Sequence, residues 1–474
     1  MRARYDLAIV GGGPAGIAAA LAASEAGLSV VLLDEAPSAG GQIYRAPRTT
    51  AAGAKAGPDA AEGRRLRAQL ADSRVEARFG RRVWLVGSGF RIDATGPDGP
   101  ETVVAERLVA ATGAYEHVVP FPGWTRPGVI GLAAATVLLK TEARVPGRTA
   151  VVAGAGPLLA AVAAGIIRSG ERIAAIVDLA SPGEWLRALP ALARRPDQLR
   201  QGASWALTIA RARTPVLFRH TVVEARGRDE LDEVVVAPVG PDGRPDLARS
   251  RPIAADMLAV GHGLVAGAEI TRLLRAEHTI DPARGGILPV CDPWGRTSLA
   301  GLYAVGDGAS VAGGLPASLA GRLAGLATAR DAGRIDPAAF TRASDDTRSE
   351  LAGALAFGRA VTGLMRRRPG LLDAIPGDTV VCRCEDVTRD EIDAAILAGA
   401  REVNQLKHFT RCGMGPCGGR MCGETVADLM ALRIGSREAV GWWTARPPLR
   451  PVPLAGMVGR FTYADIPVPE PAPL

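Results

Sequence analysis

At 474 residues the chain is too long for one ordinary core, and two to four structural units are expected. Hydrophobic residues at 47% and charged residues at 22% exclude disorder over most of its length. The basic balance (Lys+Arg 56, Asp+Glu 49) is scattered arginine, and 4% aromatics leave few stacking surfaces, so a solvated basic surface is expected and nucleic-acid binding is not.

The N-terminus enters an apolar run at once, from which no signal peptide separates without destroying the motif that follows. The uncharged stretches 7–24 and 149–167 are long enough to raise a membrane span, but each is interrupted by Gly-x-Gly-Pro and rich in Ala and Gly. Strand, glycine turn and buried helix account for both. A cytoplasmic protein is expected, with any membrane contact made through partners.

In chain order, Asp6-Leu-Ala-Ile-Val-Gly11-Gly-Gly13-Pro14-Ala15-Gly16 reads as an apolar strand, a Gly-x-Gly-x-x-Gly turn and an Ala-rich helix. Gly11 permits the tight turn, Gly13 lets a pyrophosphate approach the backbone, and Gly16 lets helix and strand pack closely. The helix N-terminus then faces the phosphates with free N–H groups. The next strand, from Ser29, ends in Asp34 and Glu35, where a ribose-binding acid belongs. Gly40-Gly41-Gln42-Ile-Tyr44-Arg45 is a glycine turn that adds Gly41 and Gln42 as candidates. The strand that begins at Leu108 ends in a small-residue turn at Thr112-Gly113, and the one before Gly306-Asp307 ends in a carboxylate ahead of a helix expected over 316–330.

A second strand–turn–helix pattern carries Gly154 and Gly156, with Leu159 in place of the third glycine and Asp178 at the end of the following strand. Such an acid favours a free ribose 2′-hydroxyl, which makes Gly154, Gly156 and Asp178 the candidate NAD(P) residues. A retained fold with a lost or altered ligand is the other reading. An Arg-rich helical stretch follows over 184–213. No Cys-x-x-Cys stands beside either fingerprint, and isolated Cys291 reads as a small buried residue. His117 and His262 stand alone beside strands and read as structural. Met365-Arg-Arg-Arg-Pro369 reads as a solvated basic linker.

Five of the six cysteines fall between Cys382 and Cys422, a clustering that in a reducing compartment implies metal or redox chemistry. Cys382-Arg-Cys384 is followed by Cys412-Gly-Met-Gly-Pro-Cys417 and Cys422, with a helix expected over 387–400 behind an N-cap at Thr388. Thiolates supply the charge and softness that an iron–sulfur cluster requires. Zinc is the rival metal, although its structural sites usually space ligands by two or more residues. The proline-rich tail from Arg446 is expected to be extended and draped over another surface.

The N-terminal fingerprint, the Ala-Thr-Gly turn and the late Gly-Asp together resemble the two-dinucleotide-binding-domain flavoproteins, which include the pyridine-nucleotide disulfide reductases, over roughly residues 5–330. That resemblance implies FAD held by Gly11, Gly13, Pro14, Ala15, Gly16, Asp34, Glu35, Gly41, Gln42, Thr112, Gly113, Gly306 and Asp307. The cysteine segment resembles the bacterioferritin-associated-ferredoxin-like (BFD-like) [2Fe–2S] domain. The joined form, with the Trp-Trp-Thr-Ala-Arg-Pro tail, resembles the larger subunit of opine oxidase, hydrogen cyanide synthase and D-hydroxyproline dehydrogenase. It implies Cys382, Cys384, Cys412 and Cys417 as cluster ligands, with Cys422 a spare thiol or alternative ligand.

The expected fold class is therefore α/β: two Rossmann-like dinucleotide-binding domains, the FAD domain discontinuous, plus a small C-terminal α-rich [2Fe–2S] domain. The divisions are 1–145 and 246–345 for the FAD domain, 146–245 for the second Rossmann-like domain, 346–375 for a linker, 376–440 for the cluster domain and 441–474 for the tail. The resemblance implies an electron-transfer subunit working with an amino-acid-oxidase-like flavoprotein subunit on an amine, imino acid or opine. The acceptor, the stoichiometry and the substrate are not legible. The alternatives are a self-contained NAD(P)H-dependent flavin reductase that passes electrons through its own cluster, and a metal-handling module on a degenerate flavin fold.

Overall fold

The computed structural model describes residues 4–47 and 58–457. Its first sheet runs Glu76–Phe79, Val30–Asp34, Arg4–Val10, Gly99–Ala110, Arg91–Gly96, Arg82–Val86, and Leu302–Ala304 pairs alongside Gly99–Ala110. The strands around Arg4–Val10 are parallel, which demands crossover connections and helices on the sheet. The parallel pairing of Leu302 with Leu108 and of Ala304 with Ala110 makes this unit discontinuous in sequence. It sets Gly306-Asp307 at the carboxyl edge beside the first glycine turn.

Helix Gly314–Asp331 lies on helix Pro14–Glu25 at near-contact of backbones. A Cβ on Gly321 would stand 2.0 Å from the Ala15 carbonyl oxygen, and one on Gly325 2.4 Å from that of Ala19. Alanine and glycine therefore line the crossing, and the apolar residues of both helices share one core with Leu7, Ile9 and Leu32.

The second sheet runs Val216–Phe218, Arg172–Asp178, Thr149–Gly154, Met257–Gly261, Val129–Gly131, all parallel. It draws two strands from outside the expected 146–245, because Val129–Gly131 and Met257–Gly261 complete its hydrogen-bond ladder. An antiparallel sheet, His220–Arg226, Glu233–Pro238 and Arg251–Ala254, covers it. The two uncharged stretches are strand, turn and helix, and among the described residues no helix is long and apolar enough to cross a membrane.

Helix Pro337–Leu364, capped by the Asp336 carboxylate, leads into the short helix Pro369–Asp373. Two of the three arginines between them, Arg367 and Arg368, correct the expected solvated linker, while Arg366 is exposed. Arg367 Nη1 donates to Glu424 at 2.9 Å and Asp428 at 2.8 Å, and Arg368 is 7% exposed and paired with Glu184. Acids far along the chain neutralise these charges, which no local pattern announces.

The C-terminal unit has the hairpin strands Val380–Cys382 and Val387–Thr388, then helices Arg389–Leu397, Val403–Thr410 and Gly423–Ile434. Thr388 and Glu391 form a capping box at the helix foreseen there. Beyond it the tail lies on the first unit: Leu449 N–H donates to the Trp84 carbonyl at 2.7 Å and its side chain enters that unit's core. The tail expected beyond residue 457 lies outside the described residues.

Arg437 also pairs with Glu424 and Asp428, so Arg367→Met leaves two enclosed carboxylates to one guanidinium. The expected cost is about 3 kcal/mol, read as a lower urea midpoint at unchanged slope.

Candidate functional site

At the first turn the chain leaves no room for side chains. A Cβ on Gly11 (φ +114°) would stand 2.1 Å from the Ala111 carbonyl oxygen, and one on Gly16 1.8 Å from that of Gly11. At Gly13 the nearest atom to such a Cβ is the Gly41 Cα at 3.8 Å, so the backbone there stays open to a ligand. Pro14 and Ala15 begin the helix, which has no side-chain cap on its free N–H groups. Asp34 receives N–H bonds from Gly12 and from Ala36 (2.6 Å), and burial raises its carboxyl above the usual range.

The other sequence candidates fall around this turn with differing roles. Gly41 packs against it, and Gly40 N–H donates to the Gly12 carbonyl at 2.8 Å. Glu35 is exposed and faces Arg82, and Gln42 is exposed and accepts from Arg45. Thr112 donates to the Gly267 carbonyl, while Gly113 (φ +69°) has open space where a Cβ would be. Gly306 lies 2.8 Å from the Ala15 Cβ by the same measure. Asp307 accepts from the Ala312 and Gly313 N–H groups at 2.9 and 3.0 Å, and burial raises its carboxyl. An open N-terminal turn between two strand-end carboxylates has the donor and acceptor set that a dinucleotide needs.

The second fingerprint is different. Gly154 repeats the close approach, its Cβ position 1.8 Å from the Gly261 carbonyl oxygen, and Leu159 is buried in the unit's core. Asp178 is buried and accepts from Ala180 N–H at 2.9 Å and Trp185 Nε1–H at 2.8 Å; burial raises it to about 6.

The cysteines gather in two groups. The sulfurs of Cys382, Cys412 and Cys422 lie within 4.8 Å of one another, with the three residues at most 2% exposed. Cys384 and Cys417, half-buried, face each other. Thiol donation from Cys412 and Cys422, joined by Gly413 N–H at 3.5 Å, pushes the Cys382 thiol down. Trp443 fills the inside of the second cysteine loop: Cβ positions on Gly413, Gly419 and Gly423 would each fall within 3.2 Å of its ring. Three gathered thiols with a facing pair beside them, and glycine backbone approaching one sulfur, suit a thiolate-held cluster. Cys422, left open as a ligand by the sequence, stands inside the buried group. Cys291 is half-buried, and burial pushes its thiol up to about 12.

Between the two sites, helix Gly423–Ile434 meets the strand region that follows Thr112-Gly113. Thr425 Oγ1 donates to the Val118 carbonyl and lies 3.4 Å from His117 Nε2. Burial lowers both lone histidines, His262 to about 4, so they stay neutral. Glu116, which sequence reading missed, accepts from Ala133 N–H at 2.8 Å at the start of helix Leu132–Glu142, and burial raises it to about 7.

Comparison with known proteins places these features. Residues 5–333 match the family described as pyridine nucleotide-disulphide oxidoreductase. The chain belongs to that family. Residues 380–431 match the BFD-like [2Fe-2S] binding domain. The chain is 34% identical to hydrogen cyanide synthase subunit HcnB of Pseudomonas protegens, covering 94% of this chain and 96% of that one. It is also 34% identical to an opine oxidase subunit of Agrobacterium tumefaciens, covering 95% and 91%. A crystal structure of L-proline dehydrogenase from P. horikoshii shares the fold, with TM-score 0.69 at 20% identity over 96% of this chain and 80% of that one. The protein is thus an FAD-dependent oxidoreductase with a C-terminal [2Fe–2S] domain.

Two measurements follow. Cys382→Ser and Cys412→Ser should each lose more than half of the bound iron, while Cys291→Ser keeps it. A carboxyl raised in the folded state makes the fold lose stability as pH climbs from the unfolded value toward 7. Glu116→Gln removes that loss, so its stability relative to the parent should rise between pH 5 and 8 by on the order of 2–3 kcal/mol, read by urea titration at both ends.

Proposed function

We propose that the chain is the electron-transfer subunit of a multi-subunit amine, imino acid or opine dehydrogenase or oxidase, working with an amino-acid-oxidase-like flavoprotein subunit. The observation that carries this reading is the seating of the cluster helix Gly423–Ile434 on the strand region that leaves the flavin turn, through Thr425 and Val118. Both carriers thereby belong to one packed body. The two relatives, named as subunits of hydrogen cyanide synthase and opine oxidase, support it.

When bound, FAD handles two-electron and one-electron steps and the [2Fe–2S] cluster single electrons. On this reading Gly13 and Ala15 offer backbone N–H groups to the pyrophosphate, and Pro14, which has none, starts the helix behind them; Asp34 accepts from a ribose hydroxyl and Asp307 from the ribitol side. Gly11, Gly16, Gly41 and Gly306 let the backbone come close enough, with Gly113 leaving space beside it. Cys382, Cys384, Cys412 and Cys417 are the proposed ligands, with Cys422 beside them. His117 and His262 are held neutral and enclosed, which suits packing and not substrate acid–base work. Substrate chemistry is assigned to the partner.

The test is oxidation of amines, imino acids and opines by the anaerobically purified chain, alone and mixed with an amino-acid-oxidase-like partner. Turnover and bleaching of the flavin only in the mixture are expected. Turnover by the chain alone would sink the relay role.

A further inference from the structure

A nucleotide on an open α/β sheet lies outside the carboxyl ends of the strands, where the strand order reverses. In the second sheet that place is between Thr149–Gly154 and Met257–Gly261, and the chain itself fills it. A Cβ on Gly156 (φ +88°) would stand 2.7 Å from Met365 Cγ, and one on Gly263 3.4 Å from Met365 Cβ. Ala155 of the fingerprint turn and Leu179, next to Asp178, share one apolar core with Leu371, Leu372, Ile375 and the interior of the cluster domain. The space left among His117, Ala155, Leu179, His262 and residues 365–368 is a cavity of about 10 Å³, room for one water.

The segment is pinned from both sides. Arg368 donates to both carboxylate oxygens of Glu184, at 3.0 and 3.1 Å. A Cβ on Gly243 would stand 2.4 Å from the Arg368 Cβ, and Gly370 N–H donates to the Asp242 carbonyl at 3.0 Å. Asp178, the acid that would take a ribose, accepts from Ala180 N–H as Asp34 does from Ala36, but unlike Asp34 it is fully buried and its other oxygen is taken by the Trp185 indole.

We propose that the second dinucleotide-binding unit is a socket for residues 365–375 of this same chain, which lie where a pyridine nucleotide would lie and thereby seat the [2Fe–2S] domain. A side chain at Gly156 would collide with Met365, so the turn needs its glycine with no phosphate present. Electrons then enter by another route than NAD(P)H. This goes beyond the relay reading and does not depend on it.

The test uses the full-length holoprotein. Equilibrium dialysis with NADH and NADPH at millimolar concentration should show no saturable binding, and neither should bleach the flavin anaerobically. Arg368→Glu should raise hydrogen exchange across 365–375 and the cluster domain about tenfold or more with the flavin spectrum retained, and adding Glu184→Arg should restore protection. If Arg368→Glu fails to fold, Arg368→Gln is read in the same way. Saturable binding of either nucleotide to the parent protein, or unchanged exchange in the single variants, overturns the proposal. None of these readouts requires substrate turnover or a partner, so they can fail while the relay reading stands.

Discussion

Four charged side chains taken out of bulk water fix the arrangement of the molecule: Arg367 and Arg437 on one side, Glu424 and Asp428 on the other. Removing such groups from water costs several kcal/mol apiece, and their mutual attraction offsets this only when every partner is in register. The carboxylates sit on helix Gly423–Ile434, directly after Cys422. Arg367 sits in the segment lying over the second glycine turn. One polar knot therefore sets the cluster helix against the segment that fills the second unit. Burial raises the Asp428 carboxyl even so, which shows how little solvent remains.

Much of the flavin unit was legible because its signals are local. A glycine turn after an apolar strand, an acid at Asp34 and a Gly-Asp at the end of a late strand each depend on a few neighbouring residues. The helix behind Thr388 was readable for the same reason, since a capping box needs only the next turn. Glu35 and Gln42 sit in that same neighbourhood, yet the structure turns both to the surface. Local pattern indicates where a turn is, and not which way each side chain beyond it points.

What was not legible depends on pairs distant in sequence. Nothing around Met365-Arg-Arg-Arg-Pro369 reveals that its charges end on Glu184, Glu424 and Asp428. The second fingerprint misleads in an instructive way. A glycine with positive φ and a crowded Cβ position looks the same in sequence whether its neighbour is a phosphate or a methionine. Cys422 stayed ambiguous because spacing alone does not say which thiols a loop wrapped around Trp443 turns inward.

The loop around Trp443 also bears on how the protein matures. Cys382, Cys412 and Cys422 are closed off from solvent, and the indole that closes them belongs to the segment whose continuation lies on Trp84. Arg420, between Cys417 and Cys422, donates to the Leu449 carbonyl at 2.9 Å and so ties the loop to that continuation. Metal binding of this kind is thermodynamically part of folding. Iron and sulfide must therefore arrive while the segment from Trp443 to Leu449 is still away from its seat. That segment then acts as the final latch of assembly, held down in proportion to how tightly the cluster is bound.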